Sequence, residues 1–394
     1  MPATTSRFGI FAVFLRLGLT SFGGPVAHIA YFRHEFVSVR RWLSERQFAD
    51  LLSLCQFLPG PASSQLGMSI GLARGGIGGA LAAFLGFTLP SALLMFAAAR
   101  SFSSGKGLFP APALHGLLLV AVAVVVQAVW TMGRLFCNSA TKMLLAGCAA
   151  AAVLTFDGPA AQLLAIVCAG LVGYGALRTA AYDAADEIPA TLGRRSGALL
   201  LAAFAALLVV FPIIAQLHPG PAWLLADSFF RSGALVFGGG HVILPLLHAE
   251  VAAHQWMPDA IFLAGYAVAQ AMPGPLFSFA AFLGATTNLA ILPVLGAAIA
   301  VIGIFAPSFF LVLGTAPFWN RLRADARARS ILAGINAAVV GLLLAALYRP
   351  IGIGAVHSIG DVAFIAVALG ALTWGRVPAW ILVIAGALAG WLLG

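Results

Sequence analysis

The chain has 394 residues, 62% of them hydrophobic and 8% charged, and a mean hydropathy of +1.03. A soluble domain carries roughly 25% charged residues, so these values exclude that class and point to an all-α polytopic membrane protein. The formal charge of +9 reads as arginine placed near helix ends to set orientation. It does not read as a nucleic-acid surface, because no loop is long enough to hold a basic module.

A β-barrel would alternate apolar and polar residues, whereas the apolar runs here are continuous and rich in Ala, Leu and Gly. The first run, residues 8–32, contains Arg16 and is interrupted at Gly23-Gly24-Pro25. A polar segment with Arg33, Glu35, Arg40, Arg41, Glu45 and Arg46 leads to a second run, 47–71, broken at Pro59-Gly60-Pro61. Two further runs, 78–99 and 114–132, precede a hairpin of 143–156 and 160–177 around Asp157-Gly158-Pro159. A polar linker with Asp183, Asp186 and Glu187 then leads to a lone run, 197–217, after which the pattern restarts with 223–247, 261–285, 289–314, 331–348, 362–373 and 377–393. The apolar stretch at the N-terminus is read as part of the fold rather than as a cleaved signal, because its counterpart lies deep inside the chain.

That restart is a duplication. RLGLTSFGG from Arg16 returns as RSGALVFGG from Arg231, and QFLPGP from Gln56 returns as QAMPGP from Gln270. Arg16, Phe22 and Glu35 lie 215 positions before Arg231, Phe237 and Glu250, and GFTLPS at Gly86 matches GIFAPS at Gly303. The expected architecture is therefore two homologous six-segment halves joined by one extra helix, about thirteen membrane segments broken at the FGG and PGP motifs. The boundaries are 1–177 for the first repeat, 178–222 for the linker and connector, and 223–394 for the second repeat. If every run crosses once, the odd number of crossings between the copies makes them inverted repeats. If the Pro-Gly-Pro segments are re-entrant, six crossings remain and the repeats become parallel. Lys and Arg counts favour a cytoplasmic N-terminus, twelve inside against seven outside, with four arginines of the first polar loop on the disfavoured side.

Candidate chemistry concentrates at the breaks. An arginine inside an apolar run needs a partner or a wet cavity, so Arg16 and Arg231 read as guanidinium forks for a tetrahedral dianion or as structural ion pairs. Asp227, one turn before Arg231, could neutralise it. Phe22-Gly23-Gly24 and Phe237-Gly238-Gly239 expose backbone amides at new helix starts, which attract anions. Pro59, Gly60, Pro61 and Pro273, Gly274, Pro275 interrupt regular helix after Gln56 and Gln270. Ser63, Ser64 and Ser278 could cap the freed backbone or contact an oxyanion. Glu35, Glu250 and Asp50 are the candidates for proton coupling, the two glutamates also being compatible with plain interfacial placement. Gly71, Gly75, Gly79 and Gly86 read as close helix packing. The histidines lack metal-ligand spacing and the four cysteines lack a pairing pattern. No nucleotide or hydrolase motif is present, so neither a metal, a cofactor nor an enzymatic activity is expected.

These paired motifs, Arg16 through Pro25 with His28, Gln56 through Pro61 and their echoes, resemble the chromate ion transporter family in its long, two-domain form. The likeness runs from about residue 8 to 348. It implies a bacterial inner-membrane carrier that expels chromate, driven by the proton motive force, with sulfate as a competing near-isostere. Expected partners are chromate or sulfate, protons and the lipid bilayer, and a homodimer is left open. The alternatives are transport of sulfate or another anion, or an intramembrane enzyme. The chain departs from strict repetition at Gly240, where the first half has Pro25, and at His241, which does not align with His28.

Overall fold

The computed structural model describes residues 6–103, 111–156, 158–178, 192–375 and 377–393. Lys106, Asp157, Asp183, Asp186, Glu187 and Arg376 lie outside them. Every regular element among the described residues is helical.

α1 (Arg7–Thr20) starts on a Ser6 cap and stops before Gly23 and Gly24, whose φ values of 100° and 75° favour glycine. α2 (Gly24–Arg33) continues into a π-helical turn, His34–Val39. The first apolar run does not carry straight on across its break. The Phe14 and Phe36 ring centroids are 5.0 Å apart, where a straight helix would separate these residues by ~33 Å. α1 and α2 are thus a hairpin, and α1, with 14 residues, reaches only about 21 Å into a core about 30 Å thick.

The second run behaves alike. α3 (Glu45–Phe57) opens on a Ser44–Gln47 capping box and ends at the Pro-Gly-Pro segment. α4 (Ala62–Ser103) then folds back, bringing Ser69 Oγ to 3.6 Å from Cys55 Sγ. It bends again at Gly75 and Gly76, which leave helical geometry. A Cβ on Gly71 or Gly79 would strike the other's carbonyl, and one on Gly86 would strike the Phe11 carbonyl. Three of the four glycines expected to pack helices do so, and Gly75 is the hinge.

α5 (Ala111–Phe136), the hairpin α6 (Ala140–Thr155) and α7 (Pro159–Ala176), and the connector α8 (Arg194–Leu217) complete the first half and the link. The second copy repeats the plan. α9 (Pro221–Leu235) and α10 (Ile243–His254) form the first hairpin, while α11 (Asp259–Ala271) and α12 (Phe279–Thr286) form the second. The second hairpin is closed by Phe262 against Phe279 at 5.3 Å. α12 and α13 (Pro293–Thr315) match the two arms of α4, with Gly284 and Gly296 in the same mutual backbone contact. α14 (Trp319–Ala324), α15 (Ala326–Ala346), the short α16 (Ile353–Ala355), α17 (Ile359–Thr373) and α18 (Ala379–Leu393) follow.

Among the described residues, six helical stretches are long and apolar enough to cross a membrane. The runs at 8–32 and 223–247, expected as broken crossings, are instead hairpins, and so are 47–71 and 261–285, for which re-entry at Pro-Gly-Pro was the open alternative. A run of about 25 apolar residues has the same hydropathy straight or folded back, provided the bend is buried in protein.

The halves are interlocked by exchange. α5 packs against α17 and α18 of the other half, and α15 packs against α6 and α7. The contacts are repeat-related, with Gly116 meeting Gly386 where Gly334 meets Ala169, and Pro112 meeting Gly390 where Ser330 meets Gly173. His115 Nε2 and Asp361 Oδ1, 2.8 Å apart, add a polar tie. α8 stands outside, with none of its most apolar window buried.

Because a Cβ on Gly334 would run into the Ala169 carbonyl, Gly334→Leu is expected to destabilise by about 1–3 kcal/mol. The melting temperature of detergent-purified protein should fall accordingly. Gly147→Leu, where nothing lies within 4 Å of the added carbon, should leave it unchanged.

Candidate functional site

Four unwound segments meet where the halves cross. The Gly60 N–H donates to the Val236 carbonyl at 2.6 Å, and the Gly274 N–H donates to the Ser21 carbonyl at 2.9 Å. Ser21 and Val236 are repeat equivalents, as are Gly60 and Gly274, so each Pro-Gly-Pro loop is bonded to the other half's FGG strand. Such bonds are what membrane-depth backbone requires once helix is abandoned. Gly60 and Gly274 have φ of 124° and 89°, and Gly238 and Gly239 have φ of 77° and 142°. A Cβ on Gly60 would lie 2.6 Å from Ser308 Oγ, and one on Gly274 3.0 Å from Ser91 Oγ. Glycine is therefore required there by both conformation and space.

The sequence-predicted residues divide between this crossing and its flanks. Pro59 accepts a hydrogen bond from Gln65 Nε2 at 2.6 Å, and Pro275 accepts one from Ser278 Oγ at 2.6 Å. Ser63 Oγ lies 3.3 Å from His28 Nδ1, while His28 Nε2 lies 3.2 Å from the Ser21 carbonyl. A carbonyl can only accept, so Nε2 carries the proton and Ser63 donates to Nδ1. Phe22 packs against Trp380, with centroids 5.9 Å apart. Pro25 sits against Gly240.

Arg16 and Arg231 each pair inside their own half. Arg16 Nη2 is 2.5 Å from Glu35 Oε2, and Arg40 Nε holds the other oxygen at 2.6 Å. Arg231 Nη1 is 3.0 Å from Glu250 Oε1, and its other nitrogens bind Asp227 at 2.8 and 2.9 Å. Ser228 Oγ donates to Glu250 at 2.7 Å. Glu35 and Glu250 are 5% and 3% exposed, so both are buried ion-pair partners. The Arg16 side chain keeps 58% of its surface open against 28% for Arg231, so the first pair is the more accessible.

Asp50 is buried between the halves, its Oδ1 accepting from Arg323 at 2.7 Å and from Trp319 Nε1 at 3.1 Å. Beside it lies a cavity of about 320 Å³ whose lining includes Ser53, Gln56, Lys142, Arg323, Arg329 and Asn336. Asn336 and Phe136 line the cavity and also lie against Gly238, within 3.4 Å of where its Cβ would be. This cation-rich space therefore shares Phe136 and Asn336 with the surroundings of the second glycine break and carries Gln56 on its wall. A larger cavity of about 420 Å³, lined by Gln162, His248 and Arg349 among mostly apolar residues, includes none of the motif glycines.

Sequence reading missed Lys142, Arg323, Arg329 and Asn336 as site residues because they lie outside the repeated FGG and PGP motifs, and the three cations were read only as orientation-setting charge near helix ends. It also missed the His28–Ser63 bond, although both residues flank the motifs.

The sequence model of the family described as chromate transporter matches residues 8–174 and again 223–391. A chromate transport protein of Pseudomonas aeruginosa is 32% identical over 352 residues, covering 87% of this chain and 80% of that protein. An uncharacterised transporter of Methanocaldococcus jannaschii is 28% identical over 349 residues, covering 87% and 84%. A chromate transport protein of Cupriavidus metallidurans is 26% identical over 343 residues, covering 85% and 80%. No solved structure matches. With one match in each half, around the same glycine breaks that cross at its centre, the chain belongs to the chromate transporter family.

Proposed function

We propose that this protein exports chromate across a bacterial inner membrane as a secondary transporter of two inverted repeats, spanning residues 1–177 and 223–394 with 178–222 between them. The observation that carries this reading is the crossed pair of glycine breaks beside a cavity lined by Lys142, Arg323 and Arg329. Relatives named chromate transport proteins support chromate as the cargo. Sulfate, of the same charge and shape, should compete.

The inversion follows from the hairpins. If α1–α2 and α3 with the first arm of α4 return to the face they left, the chain crosses with the second arm of α4 and with α5, α6, α7 and α8 before α9 begins. Five crossings reverse the second copy. The same reading moves Arg33, Arg40, Arg41 and Arg46 to the N-terminal face, raising the inside count from twelve to sixteen and leaving Arg100, Lys106 and Arg349 outside. The positive-inside bias then strongly favours a cytoplasmic N-terminus.

In that orientation the Arg16–Glu35 pair lies on the inner side of the crossing and Arg231–Glu250 on the outer side. Lys142, Arg323 and Arg329 face the cytoplasm and raise the local concentration of dianion. Moving two negative charges outward across an inside-negative membrane yields about 4.6 kcal/mol per 100 mV, so the electrical component alone can drive export. Protonation of Glu35 or Glu250 would loosen its arginine and expose a guanidinium to the anion. Asp50 would act likewise on Arg323. On this reading the motif residues Gln56, Pro59, Gly60, Pro61, Gln270, Pro273, Gly274 and Pro275 frame the path.

Everted vesicles carrying the protein are expected to accumulate chromate on energisation, with sulfate inhibiting, and Arg16→Ala should abolish the uptake. Unchanged uptake in that variant would remove the arginine from the mechanism, and no uptake by the parent protein would end the reading. Lys142→Gln should raise the chromate KM several-fold at low ionic strength and converge on the parent value at high salt, where screening removes the attraction. In a cysteine-free background, Arg41→Cys should be labelled by an impermeant maleimide from the cytoplasmic side and Asn288→Cys from the outside. Labelling of both from one side would contradict the inversion.

A further inference from the structure

The duplication has diverged most at its centre, and the divergence has chemical direction. Around the Gly274–Ser21 contact the first half supplies Ser21, His28, Ser63 and Thr88. Their repeat equivalents around the Gly60–Val236 contact are Val236, Ile243, Phe277 and Phe305. At these four positions the first crossing is polar and the second apolar, with Phe277 and Phe305 in ring contact at 5.9 Å, although Gln65 and Ser308 also stand against Gly60.

Within the polar crossing, three hydroxyls make no hydrogen bond to any of the described residues: Ser21 Oγ, Ser64 Oγ and Thr88 Oγ1. Their residues are 0%, 3% and 2% exposed. Buried hydroxyls without partners are uncommon, and each costs free energy in an apolar surrounding. Each belongs to, or adjoins in sequence, a residue that touches His28 or Gly274. Ser21 contributes the carbonyl that holds Gly274 and His28. Ser64 follows the Ser63 that bonds His28. Thr88 follows Phe87, whose ring lies 5.2 Å from His28 and whose carbonyl lies against Gly274. Ser64 also stands in the first turn of α4, and the start of α2 lies just beyond Ser21. Two helix N-termini, with amides not used by their own helices, therefore flank the same place. No charged side chain is among these residues.

Resting on the transport reading above, we propose that Ser21, Ser64 and Thr88 form the desolvated oxyanion site of the carrier, made of neutral donors and confined to the first half's side of the crossing. Three hydroxyl donors and the helix-start amides replace the hydration shell of a tetrahedral dianion. The arginines then act before and after this point. Only one of the two repeat-related crossings holds the anion, because Val236 and Phe305 have no donors to offer and Ser278, the equivalent of Ser64, already donates to the Pro275 carbonyl.

The test measures thermal stability of the purified full chain against rising chromate or sulfate. The parent protein should be stabilised by both. Thr88→Val and Ser64→Ala should each raise the half-maximal anion concentration at least tenfold. Their melting temperatures without anion should be equal to or above the parent's, since neither hydroxyl satisfies anything within the chain. Thr315→Val, which removes a buried hydroxyl bonded to Leu311 of its own helix, should leave the anion response unchanged. If the parent is stabilised and both variants respond like it, the hydroxyl site is wrong and the transport reading stands. If both variants melt well below the parent without anion, the hydroxyls are structural and the site is equally overturned. If neither anion stabilises the parent and vesicles show no flux, the transport reading itself fails.

Discussion

The reciprocal bonds between each Pro-Gly-Pro loop and the opposite FGG strand are the constraint on which the rest of the structure depends. Lipid offers nothing to an unpaired amide, so a chain that unwinds four times at its centre must find partners within itself. Here the partner comes from the other copy in each case, Val236 for Gly60 and Ser21 for Gly274. Neither half can complete its own break. The glycines then serve a double need, a left-handed backbone and room for the serine of the crossing helix, Ser308 at Gly60 and Ser91 at Gly274.

Around that centre, charge is kept in register with the duplication. Each copy places an arginine on its first helix and a glutamate on the second arm of the same hairpin, and both glutamates are buried. A buried carboxylate is tolerated when paired and hydrogen-bonded, and removal of either partner strands the other. The pair thus fixes each hairpin's closure. The second copy adds Asp227 and Ser228 to the same pair, the first adds Arg40. The two flanks are consequently unlike in net charge.

Much of this was legible in the sequence. Composition gave the helical membrane class, and the repeated Arg, FGG, Glu and PGP spacing located every break that the structure places at the crossing. The hairpins at the FGG breaks were not legible, and those at Pro-Gly-Pro were so only as an alternative, because a straight run and a folded one contain the same apolar residues. For the same reason Glu35 read as a helix-end residue. On a straight path it would lie ~28 Å from Arg16, and only the fold-back makes it a partner. The Asp50–Arg323 pair joins residues 273 positions apart, a distance at which a single sequence carries no pairing signal. The polar divergence at Ser21 and Thr88 was present in the alignment of the halves, but hydroxyls among apolar residues stand out only once their lack of partners is seen.

The exchange of terminal hairpins limits what the molecule can do as a machine. α5 is clasped by α17 and α18, and α15 by α6 and α7, along backbone contacts too close for any side chain. Two bodies that hold each other's shafts cannot swing apart like the leaves of a door. Whatever opens to admit a solute must be small, local and drawn from the short paired arms, leaving the long helices as a fixed frame.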